Sequence, residues 1–291
     1  MYSFGCLNEK HLRGTFQFFF FFFLKDACDY SFGSPQNKPS NHTPTMSELI
    51  NAFKDINVLS ENLYIKIASL AKTSIEAHGK FKLAISGGSL IKVLNLMLVT
   101  NENDIDWKNW EFWFCDERCV PLKDADSNYG EFAKNVLDKL NIEKHLLPTV
   151  YTINESLVAS KNYEELAKEY AELLPEDYFD VILLGCGPDG HTCSLFPGET
   201  HKHLIENPQH AQVLHCANSP KPPSDRITFT LDVLDKKARN LWFVAMGSSK
   251  LEIFNEIFNK KNTSLPCALI NEKFHDKVQW FVDDDAVKDL F

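Results

Sequence analysis

From residue 46 onward, hydrophobic and polar positions follow two alternating patterns. Short continuous apolar runs are typical of strands buried on both faces of a sheet, and an apolar residue at every third or fourth position is typical of helices. The predicted strands are 81–85, 110–115, 181–184, 212–217, 226–230, 241–246 and 278–282. The predicted helices are 46–79, 90–99, 128–140, 157–174 and 250–258. Polar and apolar residues alternate in 226–230, which predicts that one face of this strand is exposed.

Because strands and helices alternate without a linker or internal repeat, the pattern predicts a single α/β domain at 46–291. The preceding residues do not fit that pattern. The Phe-rich run 16–24 is shorter than the ~20 residues that a membrane-spanning helix needs, and 31–45 is rich in Ser, Pro and Asn, as disordered tails are. We interpret 1–45 as a disordered or non-native extension, with a signal or anchor segment as the alternative.

Composition limits the classes of function. A formal charge of -10, without a long Lys/Arg block, argues against nucleic-acid binding. An acidic chain can still bind an anionic substrate, because a few placed cations and backbone amides suffice. The eight cysteines include no Cys-x-x-Cys pair, so we interpret them as reduced thiols and predict no metal site.

The predicted strand 181–184 ends in a glycine-rich turn that is followed by two residues able to do chemistry, Asp189 and His191. A carboxylate and an imidazole at the carboxyl end of a parallel strand are typical of a ligand site. A surface His beside a tight turn is the simpler interpretation for this segment alone. Similar clusters after other strands favour a site.

Three other turns add polar groups to the same predicted edge of the sheet. Gly87, Gly88 and Ser89 lie between a strand and a helix, where amides and a hydroxyl bind anions well, although an ordinary turn explains them equally well. The charged residues 116–118 follow an aromatic strand, and 126–128 predict a helix cap. Lys250 follows a second Gly-Ser turn. A lysine there opposes the helix dipole, which favours a role in ligand binding.

The segment 185–190 matches the Gly-x-Gly-x-x-Gly fingerprint of dinucleotide-binding sites. That fingerprint needs amides directed at a pyrophosphate from the N-terminus of a long helix. Here Pro188 lacks an amide donor, Asp189 adds a negative charge, and Pro197 ends the segment early. We therefore reject a dinucleotide site.

Four segments together resemble the signature of the 6-phosphogluconolactonases. They are 86–89, 116–121, 187–197 and 222–228. The resemblance extends from Met46 to the C-terminus and implies a Rossmann-like, mostly parallel sheet flanked by helices, a fold shared with glucosamine-6-phosphate deaminases and isomerases. It also implies hydrolysis of 6-phospho-D-glucono-1,5-lactone to 6-phosphogluconate, in the oxidative branch of the pentose phosphate pathway, without a metal or organic cofactor.

The resemblance suggests a role for each candidate residue. His191 would be the general base that activates water, and Asp189 would orient its ring. Arg118 would face the lactone oxygen or the phosphate, and Asp116 would contact sugar hydroxyls or fix Arg118. The remaining candidates would hold the phosphate or support the nearby loop. They are Gly87, Gly88, Ser89, Asn128, Arg226 and Lys250.

Two rival functions remain open on the sequence. The related deaminases carry a ring-opening Glu after the His turn, where this chain has Ser194-Leu195-Phe196 and no carboxylate, which favours the lactonase. A sugar-phosphate sensor without catalytic activity is the second rival, although no output module is recognisable. We expect a cytoplasmic monomer that binds a small sugar phosphate and neither nucleic acid nor membrane.

Overall fold

The computed structural model describes residues 46–288 and residue 290. The predicted extension 1–45 therefore lies outside the described residues. The strands are β1 Ile50–Phe53, β2 Phe81–Ile85, β3 Trp110–Phe114, β4 Asp116–Arg118, β5 Thr149–Val150, β6 Val181–Gly185, β7 Val213–Cys216, β8 Arg226–Phe229, β9 Leu241–Ala245 and β10 Val278–Asp283.

The helices alternate with these strands. They are α1 Met46–Leu49, α2 Ile56–His78, α3 Leu90–Leu94, α4 Asn128–Asn135, α5 Glu155–Ala159, α6 Tyr163–Glu172, α7 Lys202–Glu206, α8 Leu231–Lys236, α9 Leu251–Phe254, α10 Pro266–Lys273 and α11 Asp284–Val287. Two π-helical turns, Asn95–Val99 and Asn255–Asn259, extend α3 and α9. Short 3₁₀ turns are Glu102–Asp104, Trp107–Asn109, Leu137–Lys139, Lys144–Leu146, Glu199–His201 and Ser248–Lys250.

In the described part of the chain, seven strands form a parallel sheet in the order β1-β10-β9-β6-β2-β3-β5. Successive residues of a strand point to opposite faces, so Leu183 packs into one hydrophobic core and Leu184 into another. The predicted α/β fold with a parallel sheet between helices is confirmed. The chain leaves β2 towards β3 but later returns on its other side as β6, which makes the β2–β6 boundary a topological switch point.

A second sheet lies beside the carboxyl ends of these strands. Within the described residues it consists of β4, β8 and β7 in antiparallel pairing. The charged residues 116–118, which the sequence analysis placed directly after an aromatic strand, form β4 and pair with β8. The predicted exposed face of β8 is wrong. All four of its residues are buried, since Ile227 and Phe229 enter the core while Arg226 and Thr228 meet buried polar groups.

Two predicted helices are interrupted. The predicted helix 46–79 contains the edge strand β1, whose backbone pairs with β10, and α2 starts afresh where the Asp55 carboxylate caps Asn57 and Val58. The predicted helix 157–174 is split into α5 and α6 around Lys161, which has a left-handed backbone with φ 57°. The predicted helix 128–140 is α-helical only to Asn135.

Candidate active site

A cavity of about 210 Å³ lies at the carboxyl ends of β2, β3 and β6. Its walls include every predicted site residue except Asp189, which contacts the cavity residue His191. These residues are Gly87, Gly88, Ser89, Asp116, Arg118, Asn128, His191, Arg226 and Lys250. A larger depression of about 520 Å³ beside α2 contains none of the predicted residues. The predicted groups therefore meet at the switch point of the sheet.

The imidazole of His191 is held from its Nδ1 side. Nδ1 contacts Asp189 Oδ1, and Lys221 Nζ lies 3.2 Å from Nδ1 and 3.4 Å from the same carboxylate oxygen. Burial by itself would raise the pKa of Asp189, but the hydrogen bond and charge of His191, with the charge of Lys221, hold it well below its usual range. A carboxylate at Nδ1 favours the tautomer that is protonated there, which leaves Nε2 as the basic nitrogen.

The turn between β6 and His191 fixes where the ring lies. The amide of Gly187 donates to His191 O at 2.8 Å, and a Cβ at Gly187 would lie only 2.0 Å from His191 Nδ1. The imidazole also stacks on Phe196, with the ring centroids 4.6 Å apart. Cys267 contacts the turn through its amide, which donates to Gly190 O at 3.0 Å, and its thiol, 3.4 Å from His191 O. Gly187 is therefore required, because the imidazole of His191 occupies the space that a side chain at position 187 would need.

Asp116 and Arg226 form a buried pair in the lining of the cavity. Arg226 Nη1 lies 3.8 Å from Asp116 Oδ2, which also accepts a hydrogen bond of 2.7 Å from Ser194 Oγ. Arg226 donates besides to three backbone oxygens of the loop that carries Lys221, at residues 221, 222 and 223. Burial lowers the pKa of Arg226, and the charge of Asp116 opposes this. Arg226 thus fixes the Lys221 loop, a task that the sequence analysis did not predict.

Glu117 organises the wall that carries Arg118 and Asn128, and the sequence analysis missed it. Its carboxylate is 1% exposed and accepts from the amides of Arg118, Asn128 and Tyr129 at 2.7 to 2.8 Å. Burial raises the pKa of Glu117 to about 7 although these amides lower it. Arg118 Nη1 donates to Asp126 O at 2.6 Å, while its buried Nε has no partner among the described residues. The predicted cap at 126–128 is confirmed, since Ser127 Oγ accepts from Gly130 N.

The two predicted anion-binding turns differ. Ser89 precedes α3 without a side-chain cap bond, so its hydroxyl is not used by the helix. In the turn before α9, Gly247 N already donates to the Asp283 carboxylate at 2.8 Å. That amide is therefore occupied by a protein anion and is not available to a ligand. Lys250 Nζ nevertheless reaches the cavity, where it donates to Cys186 O at 2.7 Å.

The cysteines of the described region support the interpretation as buried thiols. Cys115, Cys119, Cys186, Cys193, Cys216 and Cys267 are all buried and free. Burial raises the pKa of Cys119 and Cys216 to about 12, which makes these thiols poor nucleophiles. Among the described residues, no group of three His, Cys, Asp or Glu side chains could hold a metal ion. None of the helices found there is long and apolar enough to cross a membrane.

Known proteins resemble this chain in sequence and in fold. The model of the family described as glucosamine-6-phosphate isomerases/6-phosphogluconolactonase matches residues 54–280. The chain belongs to this family. It is 48% identical over 242 residues to 6-phosphogluconolactonase 3 of Saccharomyces cerevisiae, which covers 81% of this chain and 95% of the yeast protein.

A second yeast relative supports the family assignment, and a solved structure supports the fold. The chain is 38% identical to the probable 6-phosphogluconolactonase of Schizosaccharomyces pombe, over 83% of this chain and 95% of the other. The solved 6-phosphogluconolactonase from Trypanosoma cruzi superposes with a TM-score of 0.69 at 24% identity, covering 86% of this chain and 99% of that one. This structure confirms the fold, and the yeast relatives confirm the predicted family.

Proposed function

We propose that this protein hydrolyses 6-phospho-D-glucono-1,5-lactone to 6-phospho-D-gluconate. The observation that carries the proposal is that Asp189 contacts His191, which lines a cavity together with Arg118 and Lys250. An imidazole with one nitrogen bound to a carboxylate and the other available is suited to general base catalysis near neutral pH. The names of the yeast relatives agree with this reaction.

In the proposed mechanism, His191 Nε2 removes a proton from a water molecule while the water oxygen forms a bond to the lactone carbonyl carbon. The carbonyl electron pair moves to oxygen and gives a tetrahedral oxyanion. Collapse of the oxyanion breaks the bond to the ring oxygen, which takes the proton back from the imidazolium. Asp189 stabilises the imidazolium during this cycle, because its depressed pKa keeps it ionised. One water is consumed, and the products are a carboxylic acid and a hydroxyl group.

The cations of the cavity take the negative charges of the substrate. We assign the phosphate to Lys250 together with Gly87, Gly88 and Ser89, which line the same cavity. Arg118, whose Nε has no partner within the described part of the chain, suits either the oxyanion or the phosphate. Its substitution distinguishes the two, since loss of an oxyanion contact lowers kcat, whereas loss of a phosphate contact that is equal in both states raises KM.

The sequence favours the lactonase over a deaminase on the same scaffold. By the resemblance, the segment 194–196 stands in the place of the Asn-Glu of the related deaminases, and it contains no carboxylate. Ser194 is buried, and its hydroxyl donates to Asp116. A sensor without catalytic activity would bind the sugar phosphate but would not turn it over.

The proposed reaction is tested with the full chain and freshly generated 6-phosphogluconolactone, measured above the spontaneous opening of the lactone. We expect rapid hydrolysis, and no release of ammonia from glucosamine 6-phosphate. Ammonia release would establish the deaminase instead. Binding of 6-phosphogluconate without any hydrolysis above the background would establish the sensor.

A further inference from the structure

Four buried polar atoms of residues that line the cavity have no partner among the described residues: Ser86 Oγ, Arg118 Nε, Asn128 Oδ1 and Thr192 Oγ1. Two of them, Ser86 Oγ and Asn128 Oδ1, belong to residues next to Gly87. Ser86 is 5% exposed, Asn128 is 1% exposed, and both residues line the cavity. A buried polar atom that lacks a partner costs free energy comparable to a lost hydrogen bond. Such atoms in a cavity wall therefore indicate contacts that a ligand completes.

The orientation of the Asn128 amide determines what kind of ligand group fits. Its Nδ2 donates to Asp116 O at 2.8 Å, and this bond directs Oδ1 away from Asp116. Oδ1 lies against Gly87, since a Cβ there would be 1.9 Å from it. The atom presented beside the Ser86–Gly87 segment is thus an acceptor. It needs a donor from the ligand.

The need for a donor determines which polar part of a sugar phosphate, the phosphate or a hydroxyl group, can bind beside Asn128 Oδ1. An ionised phosphate offers only acceptors, so it would meet Asn128 Oδ1 unfavourably, whereas a sugar hydroxyl can donate to Oδ1 and accept from a serine hydroxyl. The Asp116 carboxylate, on the same wall, adds a second acceptor. This wall matches hydroxyl groups, while the cations Lys250 and Arg118 match the phosphate or the oxyanion.

We propose that Ser86 is an additional substrate-binding residue, which together with Asn128 binds a hydroxyl group of the sugar rather than its phosphate. The proposal rests on the function proposed above, because it assumes a polyhydroxylated sugar phosphate in this cavity. Ser86 directly follows β2 and precedes the glycine turn. The amide of Ser86 donates to Leu183 O, which anchors this residue to β6. Its hydroxyl is thereby held on a rigid element.

The test is a titration of the full-length Ser86→Ala variant with two probes, 6-phosphogluconate and inorganic phosphate. Loss of one hydrogen bond to a buried hydroxyl predicts about tenfold weaker binding of 6-phosphogluconate. Binding of inorganic phosphate should stay unchanged, because Ser86 does not contact it. Ser60→Ala is a matched control, since Ser60 Oγ is also buried and unpartnered but lies on α2 outside the cavity. This control should change neither affinity.

Unchanged affinity for 6-phosphogluconate in Ser86→Ala would overturn the proposal, and so would an equal loss for both probes, which would assign Ser86 to the phosphate. Failure of the wild-type protein to bind 6-phosphogluconate would instead overturn the proposed function. If the alanine variant did not fold, Ser86→Cys fills the same space with a much weaker donor and should show the same selective loss.

Discussion

At the scale of single residues, the site combines groups that are close in sequence with groups that only the fold brings together. Asp189 and His191 are two residues apart, so their pairing could be predicted from the sequence. Lys221 reaches the same pair from 30 residues away, because Arg226 holds its loop. A lysine next to two prolines carries no sequence signal for that position. This explains why the sequence analysis predicted the relay but not its neighbouring cation.

Glu117 is the second residue that the sequence could not reveal. In the sequence it is one of three consecutive charges, and only the fold shows that it is buried while Arg118 reaches the cavity. Its carboxylate joins β4 to the start of α4 through the amides of Asn128 and Tyr129. Glu117 therefore positions the residues beside it without lining the cavity itself.

The raised pKa of Glu117 predicts a pH dependence of stability. Because its pKa rises from 4.5 to about 7 on folding, its contribution is fully present below pH 4.5 and is lost as the pH rises through 7. The shift corresponds to about 3 kcal/mol in the free energy of unfolding. Urea unfolding should show stability that falls between pH 5 and 8, with a flatter profile in Glu117→Gln. Parallel profiles for the two proteins would contradict this assignment.

At the scale of elements, buried strands and glycine turns were predictable, and interruptions of helices were not. The run 181–184 is apolar throughout because β6 is covered on both faces. A continuous apolar run of this kind can be recognised from the local sequence alone. By contrast, the spacing of Ile50 and Phe53 fits a helix as well as a strand. These residues form a strand because they pair with β10, which lies more than two hundred residues away in the chain. Such a nonlocal contact leaves no pattern in the local sequence.

The turn after β6 gives a prediction at the same scale. Gly187→Ala places a Cβ 2.0 Å from His191 Nδ1, so the ring or the turn must move. A displacement of about 1 Å at a catalytic base can lower kcat by about 10²-fold. Steady-state lactone hydrolysis measures this effect.

Gly185→Ala is the comparison variant for the turn, because a Cβ at Gly185 meets no described protein atom within 4 Å, although the residue also lines the cavity. It should lower kcat far less than Gly187→Ala does. Equal losses in the two variants would show that the turn needs glycine for a reason other than the position of the imidazole.

At the scale of the whole molecule, an acidic protein carries a local cationic site. The chain has a formal charge of -10, yet Arg118, Arg226 and Lys250 converge on one cavity. The sheet makes this possible, because the chain crosses from β3 and β5 to β6 and opens a crevice where loops from both halves meet. The net charge of the chain therefore does not indicate whether the site binds an anionic substrate. The few cations placed at the switch point determine the charge of the substrate that the site can bind.

The most direct test of the account compares kcat for lactone hydrolysis in the wild-type protein and in His191→Ala. The account predicts a loss on the order of 10²–10⁴ in kcat, the usual contribution of a general base. His210→Ala is the matched control, because His210 Nδ1 also pairs with a carboxylate, Asp232, at 3.0 Å but on the surface and outside the cavity. It should keep the wild-type rate. A His191→Ala enzyme with near-normal kcat would contradict the assignment of His191 as the base.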